Sequence, residues 1–137
     1  MTANDLTKIL LEQVPQWYRG SRLFRRNVGA GVPYRIALRA VETGDVSLLR
    51  PVHFGMAGEP DLCGWLAWRG LAIRLGIEIK RNDEQSPEQI VWMNALRKAG
   101  GIYIVARDVE QCRKDLDEAI AKLVDPSHQT TLLCKGG

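Results

Sequence analysis

The segment from Ala72 to Lys80 sets the tightest constraint on what this chain can fold into. Ile73, Leu75, Ile77 and Ile79 alternate with Arg74, Gly76, Glu78 and Lys80, the period of two that marks a strand with one buried face. The apolar run Asp61–Trp68 precedes it, and Arg69-Gly70 is the only turn signal between them. Two strands so closely joined form a hairpin. With Arg69 and Gly70 as the loop, 68 faces 71, 67 faces 72, and Asp61 falls opposite Glu78.

That register brings two carboxylates together. Directly opposed residues have Cβ atoms about 5 Å apart, too close for both acids to ionise without a counter-charge. Either their pKa values are driven apart or a divalent cation lies between them. Lys80 follows Glu78 by two and projects from the same face. Magnesium takes one or two carboxylates and leaves its other positions to water and substrate phosphate, so the trio fits a Mg²⁺ site with a charge stabiliser beside it. The same spacing also fits a surface ion pair between Glu78 and Lys80, with Asp61 simply opening a strand after Pro60.

The rest of the chain reads as helices around that hairpin. Residues 5–18 carry Leu6, Ile9, Leu10 and Val14 at helical spacing, ending at Pro15 or shortly after. Leu23–Val28 reads as a short strand, Gly29-Ala30-Gly31 as a turn, Arg35–Val41 as a short helix and Arg50–Phe54 as another short strand. Ser86, Pro87 and Gln89 supply N-cap, N1 and N3 of a capping box for a helix running to about Ala99 and stopping at Gly100-Gly101. Ile102–Ala106 is a strand. Asp108 then caps an amphipathic helix with Val109, Cys112, Leu116, Ala119, Ile120 and Leu123 on one face. The expectation is an α/β fold, a mixed central β-sheet flanked by helices in the order α-β-β-β-α-β-α. It forms one domain over residues 1–124 with a poorly ordered tail at 125–137.

Composition excludes several classes. At 137 residues, 45% hydrophobic and 26% charged, the chain is neither disordered nor fibrous. It has no run of about 20 apolar residues to span a membrane and no signal-peptide layout at its start. Cys63, Cys112 and Cys134 form no CxxC pair, which argues against a disulfide framework and for a reducing, cytoplasmic setting. His53 and His128 stand far apart and read as surface or structural residues. Trp65, Trp68 and Trp92 lie on predicted strand or helix and read as core or subunit packing. The positive charge is uneven. Arg19, Arg22, Arg25, Arg26, Arg35 and Arg39 occupy one stretch with no acidic residue, alongside Phe24 and Tyr34. Guanidinium groups pair with phosphate in a bidentate fork, so this stretch fits nucleic acid; it equally fits a solvated basic face.

Pro60-Asp61, sixteen residues, then Glu78-Ile79-Lys80 is the PD-(D/E)xK pattern. Around it stand Phe24-Arg25-Arg26-Asn27-Val28-Gly29, Gly58-Glu59-Pro60-Asp61-Leu62 with Gly64, Ser86-Pro87-Glu88-Gln89, and Gly100-Gly101. This layout, over roughly residues 5–112, resembles the VRR-NUC family of virus-type replication and repair nucleases, in its short stand-alone phage and bacterial form. The resemblance implies a restriction-endonuclease-like core and an endonuclease dependent on Mg²⁺ or Mn²⁺. It makes Asp61 and Glu78 metal ligands, joined by the Ile79 backbone carbonyl. Lys80 would position or help deprotonate the attacking water. Gln89 would lie near the site, although as N3 of a capping box it also has a structural task. Asp5 or Glu12 corresponds to the family's first-helix acid, and either could equally be a solvated acid. The arginines would hold flanking phosphates. The resemblance also points to branched DNA such as four-way junctions, in phage or prophage replication, recombination or repair inside a bacterial host. Two symmetric cuts call for a homodimer. A less selective nicking or restriction-like enzyme, a silent DNA-binding module and a helicase-dependent subunit are the alternatives.

Overall fold

A computed structural model describes residues 1–26, 29–31, 34–48, 52–54 and 58–124. In chain order it forms α1 (Ala3–Trp17), β1 (Arg22–Arg25), β2 (Gly29–Gly31), α2 (Tyr34–Thr43) and a 3-10 turn (Val46–Leu48). Then follow β3 (Val52–Phe54), β4 (Leu62–Trp68), β5 (Leu71–Ile79), α3 (Pro87–Lys98), β6 (Ile102–Ala106) and α4 (Val109–Ala121). The strands β1-β4-β5-β6 lie side by side in a four-stranded mixed sheet, while β2 and β3 form a separate two-stranded one. β1 and β5 run antiparallel to β4, and β6 runs parallel to β5.

The hairpin has the register its sequence predicts, from Leu62 opposite Ile77 to Trp68 opposite Leu71. Its two loop residues, Arg69 (φ 47°) and Gly70 (φ 78°), are both left-handed. That is the primed turn whose twist matches the strands. Even positions of β4 and odd positions of β5 then share one face, and Leu62, Leu66, Leu75 and Ile77 are buried there with Ile102 and Ile104 of β6. α1 covers this face with Leu6, Leu10 and Val14, and α4 with Cys112 and Leu116. Each fully buried aliphatic side chain contributes about 1.5–3 kcal/mol, so this layer is the main source of stability.

The opposite face carries Cys63, Trp65, Arg74, Gly76, Glu78 and Tyr103. Here α3 closes over β5 and β6 with Leu96 where Gly101 makes room, and Gly76 makes room for Pro60 of the segment before β4. A Cβ at Gly76 would meet Pro60 Cγ at 2.7 Å, and one at Gly101 would meet Leu96 Cδ1 at 2.5 Å. This face holds the paired acids.

Four local readings differ in type or bounds from the sequence-based expectation. α1 begins at Ala3, two residues before the expected start, since Thr2 and Asp5 form a reciprocal capping box; its end at Trp17, shortly after Pro15, is the expected one. Proline removes one N–H near the end of the helix, and the Tyr18 N–H still reaches the Val14 carbonyl at 3.1 Å. Gly29–Gly31 is a strand paired with Val52–Phe54, not a turn. Cross-strand pairing is made by backbone groups, which a glycine-rich composition does not reveal. The first strand spans Arg22–Arg25, against Leu23–Val28 expected, with Asn27 and Val28 outside the described residues. The strand expected at Arg50–Phe54 is found at Val52–Phe54, with 50 and 51 outside them. The helices expected at Arg35–Val41, Ser86–Ala99 and after Asp108 are found at Tyr34–Thr43, Pro87–Lys98 and Val109–Ala121, with both predicted caps present, Ser86 with Gln89 and Asp108 to the Gln111 N–H; the order α-β-β-β-α-β-α is corrected by α2 and the β2–β3 pair, which stand between β1 and β4. The tail at 125–137 lies outside the described residues. Among these residues no helix is long and apolar enough to cross a membrane.

Candidate active site

Asp61 sits one residue before β4 and is tied down from both sides. Its Oδ2 accepts the Ile79 N–H at 2.9 Å, and its backbone carbonyl accepts the Arg26 N–H at 2.7 Å. The segment leading to it is clamped as well. Glu59 is 8% exposed and takes a bidentate fork from Arg26, Nε to Oε2 at 2.8 Å and Nη2 to Oε1 at 3.1 Å. Gly58 adopts φ 89°, where a Cβ would lie 2.3 Å from the Glu88 carbonyl oxygen, so only glycine lets this segment rest on the first turn of α3.

Glu78 lies opposite, and it is 2% exposed. Its Oε1 accepts the Gln89 Nε2–H at 2.9 Å and its Oε2 the Tyr103 hydroxyl at 3.4 Å. Burial raises its carboxyl to about 8, with the Asp61 carboxylate adding to the rise and Lys80 opposing it. The sequence register foresees this pairing, in which a buried carboxyl is held beside an exposed one.

Gln89 performs both of the tasks its sequence context allows. Its Oε1 accepts the Ser86 N–H at 2.8 Å to close the capping box, and its Nε2 is thereby aimed at Glu78. Lys80 follows the end of β5, and its N–H donates to the Ala106 carbonyl at 3.0 Å, which prolongs the parallel ladder. Its side chain is 14% exposed, with Nζ 3.3 Å from Oδ2 of Asp83. Arg107 holds this loop by donating to the carbonyls of Lys80 and Asp83 at 3.2 and 3.1 Å.

Sequence reasoning missed Tyr103. It is 1% exposed, and its phenol is pushed upward by burial and by Glu78. The readable signal was a hydroxyl-bearing ring inside the aliphatic run Ile102–Ala106. The parallel register, Tyr103 beside Gly76, is what turns it to the Glu78 face.

The structure thus gathers Asp61, Glu78, Ile79, Lys80 and Gln89 at one end of the hairpin. It does not gather the proposed first-helix acid. Among the described residues no group of three His, Cys, Asp or Glu side chains could hold a metal. Asp5 serves the α1 capping box, accepting the Thr2 N–H at 2.9 Å, and Glu12 is exposed farther along that helix. The six arginines are dispersed as well. Arg19 lies in the turn after α1, while Arg35 and Arg39 are exposed on α2. Arg22 shares the Glu78 face. Arg25 projects from the other face and donates to Asn4 Oδ1 at 3.3 Å, and Arg26 is engaged by Glu59.

The donor set fits a hard divalent cation. A buried Glu78 carboxyl held close to the exposed Asp61 carboxylate is stabilised as an anion by positive charge between them. The Ile79 carbonyl lies on the same strand edge as the N–H that reaches Asp61, as both groups of one strand residue do. Comparison with known protein families, with curated proteins and with solved structures finds no match to this chain.

Proposed function

We propose that the chain is a DNA endonuclease of the VRR-NUC type, within the PD-(D/E)xK superfamily, with a restriction-endonuclease-like core and dependence on Mg²⁺ or Mn²⁺. The observation that carries this reading is the opposition of Asp61 to a buried Glu78 with Lys80 just past the end of the same strand. Asp61, Glu78 and the Ile79 carbonyl would hold the ion, which when bound lowers the pKa of its water and offsets phosphate charge. Gln89 and Tyr103 donate to Glu78 and keep its carboxylate turned toward Asp61. Lys80 brings an ammonium that pairs at 3.3 Å with Asp83, itself solvent-facing at 70% exposure. A phosphate can therefore compete for it, and the charge then stabilises the phosphorane-like transition state. Arginine contacts to flanking phosphates would set position on the DNA, not sequence preference.

The substrate in this reading is branched DNA, cut symmetrically by a homodimer. The test is cleavage of a labelled four-way junction and a matched linear duplex, with Mg²⁺, Mn²⁺ or EDTA, by wild type and Lys80→Ala. Paired nicks in the junction are expected, absent with EDTA and reduced at least about 100-fold in the variant, equivalent to roughly 2.7 kcal/mol of transition-state stabilisation. Equal nicking of both substrates would remove the junction preference and leave the nuclease. Binding without cutting under any metal would overturn the enzyme and leave a DNA-binding module.

A further inference from the structure

The described residues cover only half of the sheet face that carries Glu78. α3 lies over β5 and β6, whereas over β1 and β4 two aromatic rings remain in solvent, Phe24 at 46% exposure and Trp65 at 41%. Both stand on the Glu78 side of the sheet. Phe24 faces Cys63, and Trp65 faces Arg22 on one side and Arg74 on the other. Arg22 and Arg74 are exposed, and the other residues of this half, Ala67 and Ala72, are small. Among the described residues no acidic side chain interrupts it. Trp65 was expected in the core or at a subunit contact; it is exposed because its odd position on β4 turns it away from α1 and α4.

We infer that this half-face is a platform for unpaired bases of the strand led into the acidic site, so that the substrate carries a single-stranded segment beside the scissile bond. The inference rests on the nuclease reading and narrows its substrate. Three physical points carry it. First, strand geometry places Phe24 beside Cys63, about 7 Å along β4 from Asp61, with Trp65 about 13 Å away. The platform is therefore continuous with the site. Second, Phe24 and Trp65 are diagonal neighbours about 7 Å apart, twice the 3.4 Å rise of stacked bases in a duplex strand. The rings suit bases that have come apart. Third, aromatic rings between guanidinium groups match an unpaired strand, whose bases stack while its phosphates meet cations. A second copy of the chain would instead set Arg22 and Arg74 against their own likes, with no acid to balance them. Trp65 is already positioned, because its Nε1–H donates to the Gly20 carbonyl at 3.0 Å. Arg22 uses one donor on the Ser21 carbonyl at 2.8 Å and keeps the rest of its five.

The experiment measures binding of fluorescent oligothymidylate and of a blunt duplex of equal charge to metal-free protein in EDTA. Wild type, Phe24→Ala, Phe24→Leu, Phe24→Tyr and Trp65→Phe are compared, with circular dichroism as the check on folding. Phe24→Ala and Phe24→Leu should weaken oligothymidylate binding by roughly 5- to 100-fold, the range for loss of one stacked base. Phe24→Tyr and Trp65→Phe, which keep a ring, should retain it. Duplex affinity and the salt slope should not move, since both are set by phosphate contacts. Equal weakening of duplex binding would overturn the platform, as would a wild-type dimer that Phe24→Ala dissociates. Loss of oligothymidylate binding alone supports the platform even where no cutting is seen. Junction cutting with oligothymidylate binding untouched by Phe24→Ala would overturn it and leave the nuclease reading standing.

Discussion

Replacing Glu78 with glutamine should remove a pH dependence that the metal-free protein carries in its stability. Glu78 is 2% exposed, and burial beside Asp61 raises its carboxyl from 4.5 to about 8 in the fold. In the unfolded chain the same group titrates near 4.3. Between those values the folded state binds more protons than the unfolded state, so stability falls as pH rises through the window. The penalty is absent below the lower value and complete above the upper one. At 1.36 kcal/mol per pKa unit its ceiling is on the order of 5 kcal/mol. Glutamine mimics the protonated acid. Its carbonyl can accept from Gln89 Nε2, and its amide can donate toward Tyr103 or Asp61, without a charge to desolvate. Urea unfolding in EDTA, followed by tryptophan fluorescence from pH 5 to pH 9, reads the difference. The two proteins should be similar near pH 5, with wild type weaker by a few kcal/mol at pH 9. Parallel curves across the range would refute the reasoning, because other titrating groups are common to both.

Magnesium should raise the wild-type midpoint more at pH 8 than at pH 5.5, since a ligand carboxyl must lose its proton before it binds the ion; Asp61→Asn should abolish the rise in thermal scans. Gly64→Ala would put a Cβ 1.9 Å from the Arg22 carbonyl oxygen; forcing β1 off β4 should cost about 3 kcal/mol in urea titrations. Leu10→Ala removes a fully buried side chain from under α1 and should cost about 2–5 kcal/mol, with no change of the penalty with pH, because no titratable group is involved.

Much of the fold was readable because the deciding interactions are local. The isoleucine alternation of β5, the two-residue loop and the Ser86–Gln89 box each need only neighbouring residues, and the structure has them where the sequence puts them. The placement of Asp61 opposite Glu78 follows from the loop length alone. β2 and the start of α1 were read less well. β2 depends on a partner more than twenty residues away, and α1 on an N-terminal Thr2–Asp5 cap that the apolar spacing does not report.

The sequence by itself determined the hairpin, its register and therefore the meeting of two acids, because a strand's period and a loop's length fix which residues face each other. Only the tertiary structure decided what that meeting means electrostatically. Packing of α3 on the Glu78 face, with β6 beside β5, buries one acid while leaving the other exposed. It also brings Gln89 and Tyr103 to Glu78 from separate elements and leaves Phe24 and Trp65 in water. Burial is a property of what lies above a residue, and nothing in the local sequence of Glu78 or Trp65 specifies that cover.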